Sequence, residues 1–121
     1  MNTRKKGAEY EQAAAGYLQQ FGVKILERNY RSRRGEIDLI GKDGVYTVFF
    51  EVKYRRDDRK GAPAEAVNFA KQKTICRVAD YYRMTHGMGE FSAVRYDVVA
   101  IEGIGGEKIT WYQNAFPHRY T

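Results

Sequence analysis

The chain has 121 residues, with 21 Lys and Arg against 15 Asp and Glu, giving a net charge of +6. Hydrophobic residues make up 43% and charged residues 30%, which fits one globular domain over residues 1–121 and excludes a disordered chain. The longest nearly apolar run, Val45 to Phe50, falls far short of the roughly 20 residues of a membrane helix, so no membrane partner is expected.

Residues from about 4 to 21 read as a helix. Ala13, Ala14, Ala15 and Leu18 favour helix, and Ala14, Tyr17, Leu18 and Phe21 recur at helical spacing. Gly22 stands where a C-terminal cap belongs. Val23 to Tyr30 alternates as a strand, and Gly35 to Ile40 reads as a second. Gly41-Lys42-Asp43-Gly44 is a turn signal, so the third strand, Val45 to Tyr54, makes a hairpin with the second. Arg55 to Gly61 reads as a charged, mobile loop. Pro63 suits the first turn of a second helix running to about Thr85, with Val67, Ala70, Ile75, Val78 and Tyr82 near one face. Tyr96 to Ile101 is a fourth strand. Ile109 to Tyr112 is a short fifth one, after the turn Gly103 to Gly106. The order αβββαβ predicts an α/β fold, a mixed β-sheet flanked by helices, with a crossover joining parallel strands three and four.

Absent motifs narrow the chemistry. The basic start Met1 to Lys6 leads into no apolar stretch, so no secretory signal is expected. One cysteine, Cys76, allows no internal disulfide and no Cys-rich zinc site, and it suits a cytoplasmic location. There is no G-x-S-x-G elbow and no phosphate-binding G-x-x-x-x-G-K-[ST] loop. His86 and His118 alone build no His-rich metal site; both read as surface or helix-end residues. Cys76 reads as a small residue packed beside Phe69.

The informative stretches are Gly35-Glu36-Ile37-Asp38 and Glu51-Val52-Lys53. Strand side chains alternate faces, so Glu51 and Lys53 point one way, and Phe50 and Val52 the other. Glu36 and Asp38 share a face likewise, with Ile37 and Leu39 opposite. The hairpin brings Asp38 near Glu51. Buried carboxylates need a partner or a metal, and neighbouring ones raise each other's pKa. Mg²⁺ suits such a set, since it takes carboxylate oxygens, keeps waters and binds substrate phosphates; Mn²⁺ accepts the same ligands. Lys53 would then orient or activate water, or stabilise developing phosphate charge. The plainer reading is a solvated strand face with a cross-strand charge pair.

These motifs resemble the PD-(D/E)XK nuclease superfamily, whose fold is the restriction-endonuclease-like αβββαβ core. More closely, the chain is similar to the YraN-type bacterial family, related to archaeal Holliday junction resolvases. The residues that carry the likeness are Gly7, Glu11, Ala14, Tyr17 and Leu18, then Asn29-Tyr30-Arg31, Gly35 to Ile40 and Phe49 to Arg55. Gly61, Pro63, Lys71, Arg95 to Val99 and Asn114-Ala115-Phe116 complete it. The chain departs from the family's habit at Tyr10, often Gly, and at Phe50, usually Val. The resemblance implies a metal-dependent endonuclease with catalytic Glu11, Asp38, Glu51 and Lys53. Asp38, Glu51, Glu11 and the Val52 carbonyl would bind Mg²⁺ or Mn²⁺. Glu9 lies close enough to Glu11 to compete for its place. Glu36 ranks below these, tuning the cluster or holding an Arg. Lys71 and Gln72 lie within reach from the second helix. The resemblance also implies a homodimer, as in resolvases.

Basic residues flank the site. Arg28, Arg31, Arg33 and Arg34 precede the hairpin; Arg55, Arg56, Arg59 and Lys60 follow it. Arg31, Arg33, Arg34, Arg55 and Arg56 are the expected phosphate contacts, with Tyr30 and Tyr54 placed to stack on bases. The other reading of the charges is a solvated loop face. No base-reading motif occurs, so recognition by shape or backbone is expected. Arg95 and Asp97 share a strand face and read as a structural ion pair. Three functions fit: a structure-selective nuclease acting on DNA, a nucleic-acid-binding module that does not cut, and a partner-dependent subunit that keeps the fold.

Overall fold

The computed structural model of the chain describes residues 3–56 and 67–120. The elements run α1 (Thr3–Gln20), β1 (Lys24–Ser32), β2 (Gly35–Asp43), β3 (Tyr46–Arg55), α2 (Phe69–Thr85), β4 (Val94–Glu102) and β5 (Lys108–Tyr112). They build the expected mixed α/β sheet, in spatial order β1-β2-β3-β4-β5. β3 and β4 pair in parallel, and the other neighbours pair antiparallel. This is consistent with a restriction-endonuclease-like core.

Each face of the sheet has its own helix. On one face Ala14, Ala15 and Leu18 of α1 pack on Leu39, Val48, Phe50, Val99 and Ile101. The two alanines let α1 approach the strands closely. On the other face Ile75, Cys76, Val78, Ala79 and Tyr82 of α2 pack on Ile37, Ile40, Phe49, Tyr96 and Val98. β4, covered on both sides, is buried from Tyr96 to Glu102, as a strand between two helical layers must be. Among the described residues no helix is long and apolar enough to cross a membrane.

Several boundaries differ from the sequence reading. The β2–β3 turn is Gly44-Val45, and β2 runs on through Asp43. Gly41 is a packing glycine: a Cβ there would meet Val23 Cγ1 at 2.8 Å and Phe50 Cε2 at 3.1 Å. The second helix begins at Phe69, because Asn68 in an extended conformation (ψ 168) caps it, accepting the Lys71 N–H at 2.8 Å. Ala70 is therefore in the exposed first turn, and Val67 is buried just ahead of the helix. Pro63, Arg59 and Lys60 lie outside the described residues. Phe21 is 60% exposed because α1 ends before it, leaving its ring against Tyr17.

The Arg95–Asp97 pair is structural, as expected, and larger than a pair. Asp97 is fully buried. Its carboxylate accepts from Arg95 Nε and Nη2, from Trp111 Nε1 at 2.8 Å and from the Asn114 N–H at 2.8 Å. Arg95 Nη2 also donates to Asp43 at 2.9 Å. The network ties β4 to β5, to the β2–β3 turn and to the C-terminal segment. That segment then lies along α2. Phe116 stacks on Tyr96, His118 Nδ1 meets Tyr96 Oη at 2.6 Å, and Arg119 N–H donates to Cys76 Sγ at 3.2 Å. His118 is thus a half-buried strap residue, and Cys76 contacts Tyr96 and Arg119.

Replacing Asp97 by Ala empties a fully buried acceptor position and leaves the Trp111 Nε1–H, the Asn114 N–H and the Arg95 Nε–H without it. We expect Asp97→Ala to cost roughly 3–5 kcal/mol of folding stability in urea titration. Asp43→Ala, at the half-exposed rim, should cost no more than about 1 kcal/mol. Equal effects at the two positions would contradict the burial argument.

Candidate metal centre

The site forms where β2 parts from β3. Their ladder runs from Asp43–Tyr46 to Leu39–Phe50 and goes no further toward β2's start. The Val52 N–H on β3 would then lack a partner, and Asp38 Oδ2 accepts it at 2.8 Å. A carboxylate has replaced a strand backbone in the ladder. The same break turns the chain. Ile37 joins the core under α2, whereas Leu39 joins the core under α1. Simple alternation had placed these two side chains on one face; the departure at Asp38 corrects this.

β1 breaks opposite. Arg28 pairs with Leu39 and Tyr30 with Ile37, so Asn29 lies across from Asp38, with a left-handed φ of 53. Asn tolerates this region better than most residues. Its side chain hydrogen-bonds to Glu11, which arrives from α1. Sequence reasoning quoted Asn29 only as part of a motif and gave it no role. A lone Asn in a strand pattern was the available signal.

Glu11, Glu36 and Asp38 offer carboxylate oxygens that all lie within 4.8 Å of one another. Glu36, placed in second rank by the sequence, belongs to this central trio. It also accepts from Arg31 Nε at 2.8 Å, so it holds an arginine. Glu51, nearly buried on β3, joins through a hydrogen bond to Asp38. Lys71 Nζ lies 4.0 Å from Glu51 Oε2. Gln72 is committed elsewhere, donating to Val67 O at 2.8 Å and accepting from Arg119 Nε at 3.0 Å. Val52 meets the site through its N–H. Lys53 lies close enough to Glu51 to act on its charge, and no carboxylate among the described residues forms an ion pair with it.

Burial pushes the Glu51 carboxyl up to about 8, with the negative charge of Asp38 adding to the effect and Lys71 and Lys53 opposing it. Glu11 is pushed up to about 7, first by burial and then by Asp38. Asp38 is raised by burial too, although the Val52 N–H works against the rise. Between Asp38 and Glu51 the proton therefore belongs on Glu51, since Asp38 already accepts a backbone donor. No Lys or Arg of the described residues forms an ion pair with Glu11 or Asp38. Hard oxygen donors gathered in excess of the cations beside them, Arg31 at Glu36 and Lys71 at Glu51, fit a divalent cation such as Mg²⁺ or Mn²⁺.

The flanking groups divide. Arg31, Arg33 and Arg34 are exposed around the β1–β2 turn, where with Ser32, Gly35 and Glu36 they line an open hollow of about 480 Å³. Arg56 is exposed just past β3. Arg55 turns inward instead: its Nη2 lies 3.3 Å from Glu102 Oε2, and 14% of its side chain is exposed. Arg28 donates to Gln12. The two tyrosines expected to meet bases are used internally. Tyr54 stacks on Tyr10 at 4.1 Å and donates to Gly103 O at 3.0 Å. Tyr30 packs edge-on against Tyr82.

Glu11 and Glu51 have folded values near 7 and 8 against ordinary values of 4.5. A folded value above the unfolded one means that the folded state holds protons more tightly. The resulting stabilisation is complete below about pH 4.5 and is lost as pH rises toward about 8. In chelator, the melting temperature should therefore fall across that window, and Glu51→Gln should flatten the fall. An unchanged slope in the variant would show that Glu51 titrates normally.

The chain matches the model of the family described as "Uncharacterised protein family UPF0102" over residues 10–101, a span that includes Glu11, Glu36, Asp38, Glu51 and Lys53. A UPF0102 protein of Lachnoclostridium phytofermentans is 42% identical over 116 residues, covering 96% of each chain. One from Nitrosomonas europaea is 44% identical over 111 residues, covering 92% of each. One from Legionella pneumophila is 36% identical over 114 residues, covering 94% of this chain and 96% of its own. These names state no reaction. Identity at this level over nearly full length bears out the resemblance to the YraN-type family: the chain belongs to the UPF0102 family.

Proposed function

We propose that this protein is a metal-dependent nuclease that hydrolyses phosphodiester bonds of nucleic acid, with branched DNA the first substrate to try. The supporting observation is the convergence of Glu11, Glu36, Asp38 and Glu51 beside Lys53 at the β2–β3 fork. Glu11, Glu36 and Asp38 would hold Mg²⁺ or Mn²⁺, with Glu51 and the Val52 carbonyl as further oxygen donors. Bound there, the cation would offset phosphate charge and acidify a water. Asp38 is fixed by the Val52 N–H, so its free oxygen is aimed before substrate arrives. Glu51 carries a proton near neutrality and can release it when positive charge approaches. Lys53 presents a compact cation for the attacking water or a phosphate oxygen. Arg31, Arg33 and Arg34 supply phosphate contacts next to Glu36, and Arg56 supplies one past β3.

A second reading has its own support. The arginine turn is exposed whether or not a cation binds, so a nucleic-acid-binding module without cutting activity would use the same surface.

Labelled four-way, flapped, duplex and single-stranded DNA should be incubated with protein in Mg²⁺, Mn²⁺ or EDTA. Cleavage in metal alone is expected. Asp38→Ala should abolish it, and Lys53→Ala should reduce it by about 10²–10³-fold. Binding without cutting, unaltered in both variants, would select the second reading. Calorimetric titration of Mn²⁺ at pH 7 in two buffers should also show proton release on binding, and none in Glu51→Gln would identify the donor.

A further inference from the structure

The arginine turn leads to a second hollow that the acidic site does not use. Gly35, with φ 150, sits directly on α2: a Cβ there would meet Thr74 Cγ2 at 2.7 Å. This close approach lays Arg34 alongside the helix. Arg34 lines the hollow shared with Glu36, and it also lines a groove of about 300 Å³ completed by Arg77, Asp80, Tyr81 and Met84. Arg77, Tyr81 and Met84 stand at positions i, i+4 and i+7 of α2, on one stripe.

The chemistry of the groove is that of a nucleotide unit. Two guanidinium groups, Arg34 and Arg77, bracket it. Arg77 Nε is buried without a hydrogen-bond partner among the described residues, while its residue lines the groove wall beside Arg34. Tyr81 is 45% exposed and Met84 is 70% exposed, so an aromatic face and a polarisable thioether lie open to solvent. Asp80 has His118 Nε2 at 3.5 Å and pairs with Arg83 Nη1 at 3.7 Å, and the arginine offsets its charge.

We infer that this groove binds a nucleotide of an unpaired strand, with its phosphate between Arg34 and Arg77 and its base against Tyr81 and Met84. The inference rests on the nuclease reading only for direction: Glu36 and the arginine turn connect the groove to the acidic cluster, so the nucleotide flanks the bond to be cut. A paired base has its faces covered by stacking and cannot present one to Tyr81. Single-stranded regions beside a junction or flap are therefore what the groove selects.

The test is anisotropy with a labelled single strand of about a dozen nucleotides, and with the corresponding duplex, in EDTA so that cutting plays no part. Tyr81→Ala should weaken single-strand binding at least fivefold, consistent with the loss of one stacked base, and duplex binding by less than twofold. Arg77→Ala should weaken both and reduce the salt slope by about one. Lys108→Ala, on the distant edge strand β5, should change neither. Since Tyr81 is exposed, an unaltered melting temperature is expected in its variant. Wild-type single-strand affinity in both Tyr81→Ala and Arg34→Ala would overturn the groove, as would an equal loss in Lys108→Ala. If those variants bind normally yet the protein cuts in Mg²⁺, the groove falls and the nuclease reading stands. If they lose single-strand binding and the protein never cuts, the groove stands and the nuclease reading falls.

Discussion

One hydrogen bond organises this protein: the Val52 N–H donates to Asp38 Oδ2 at 2.8 Å. A sheet cannot simply end in its interior, because an unpaired buried N–H costs as much as a lost hydrogen bond. β2 parts from β3 after Leu39–Phe50, and the Asp38 carboxylate takes the vacated place. The fork that results is what lets Glu11 approach from α1 and Glu51 from β3. Without the fork, a continuous ladder would hold Asp38 in ordinary cross-strand register.

The same arrangement stores electrostatic tension. Four carboxyl groups meet within a partly buried space, opposed among the described residues by Lys53, Lys71 and, at its exposed rim, Arg31. The raised values of Glu11 and Glu51 express it: burial and the neighbouring charge of Asp38 favour the protonated forms. The Asp97 network shows the contrary solution to the same problem. There a fully buried carboxylate is matched by Arg95, Trp111 and a backbone N–H, and nothing further is needed. One acidic group is matched donor for acceptor within the protein, whereas the other cluster lowers its repulsion by holding protons.

Much of this was legible in the sequence. Strand alternation found the Asp38, Glu51 and Lys53 group, since period two is a local property. Every element appeared in the expected order because β-branched and aromatic runs are separated by clear turn residues. What escaped depends on tertiary detail. Alternation cannot foresee its own failure, so Ile37 and Leu39 were assigned to one face. The start of α2 at Phe69 is set by the Asn68 side-chain cap, a signal that the sequence reading did not weigh. Gly41 looked like a turn glycine because close packing by Val23 and Phe50 leaves no trace in local sequence. Tyr30, Tyr54 and Arg55 were read as ligand-facing from position alone, yet each has partners from distant segments. Glu36 gained rank for the same reason: its nearness to Glu11 requires α1 to cross the fork.

The Tyr10–Tyr54 stack has a mechanical consequence. Its rings are nearly parallel, 4.1 Å apart, and join α1 to β3. Glu11 follows Tyr10 in the chain, and Lys53 precedes Tyr54. The ring pair therefore acts as a rivet beside two groups of opposite charge carried by different elements. When α1 flexes against the sheet, the rivet makes Glu11 and Lys53 shift together. Their relative spacing is thereby protected from fluctuations that would otherwise reach each one separately.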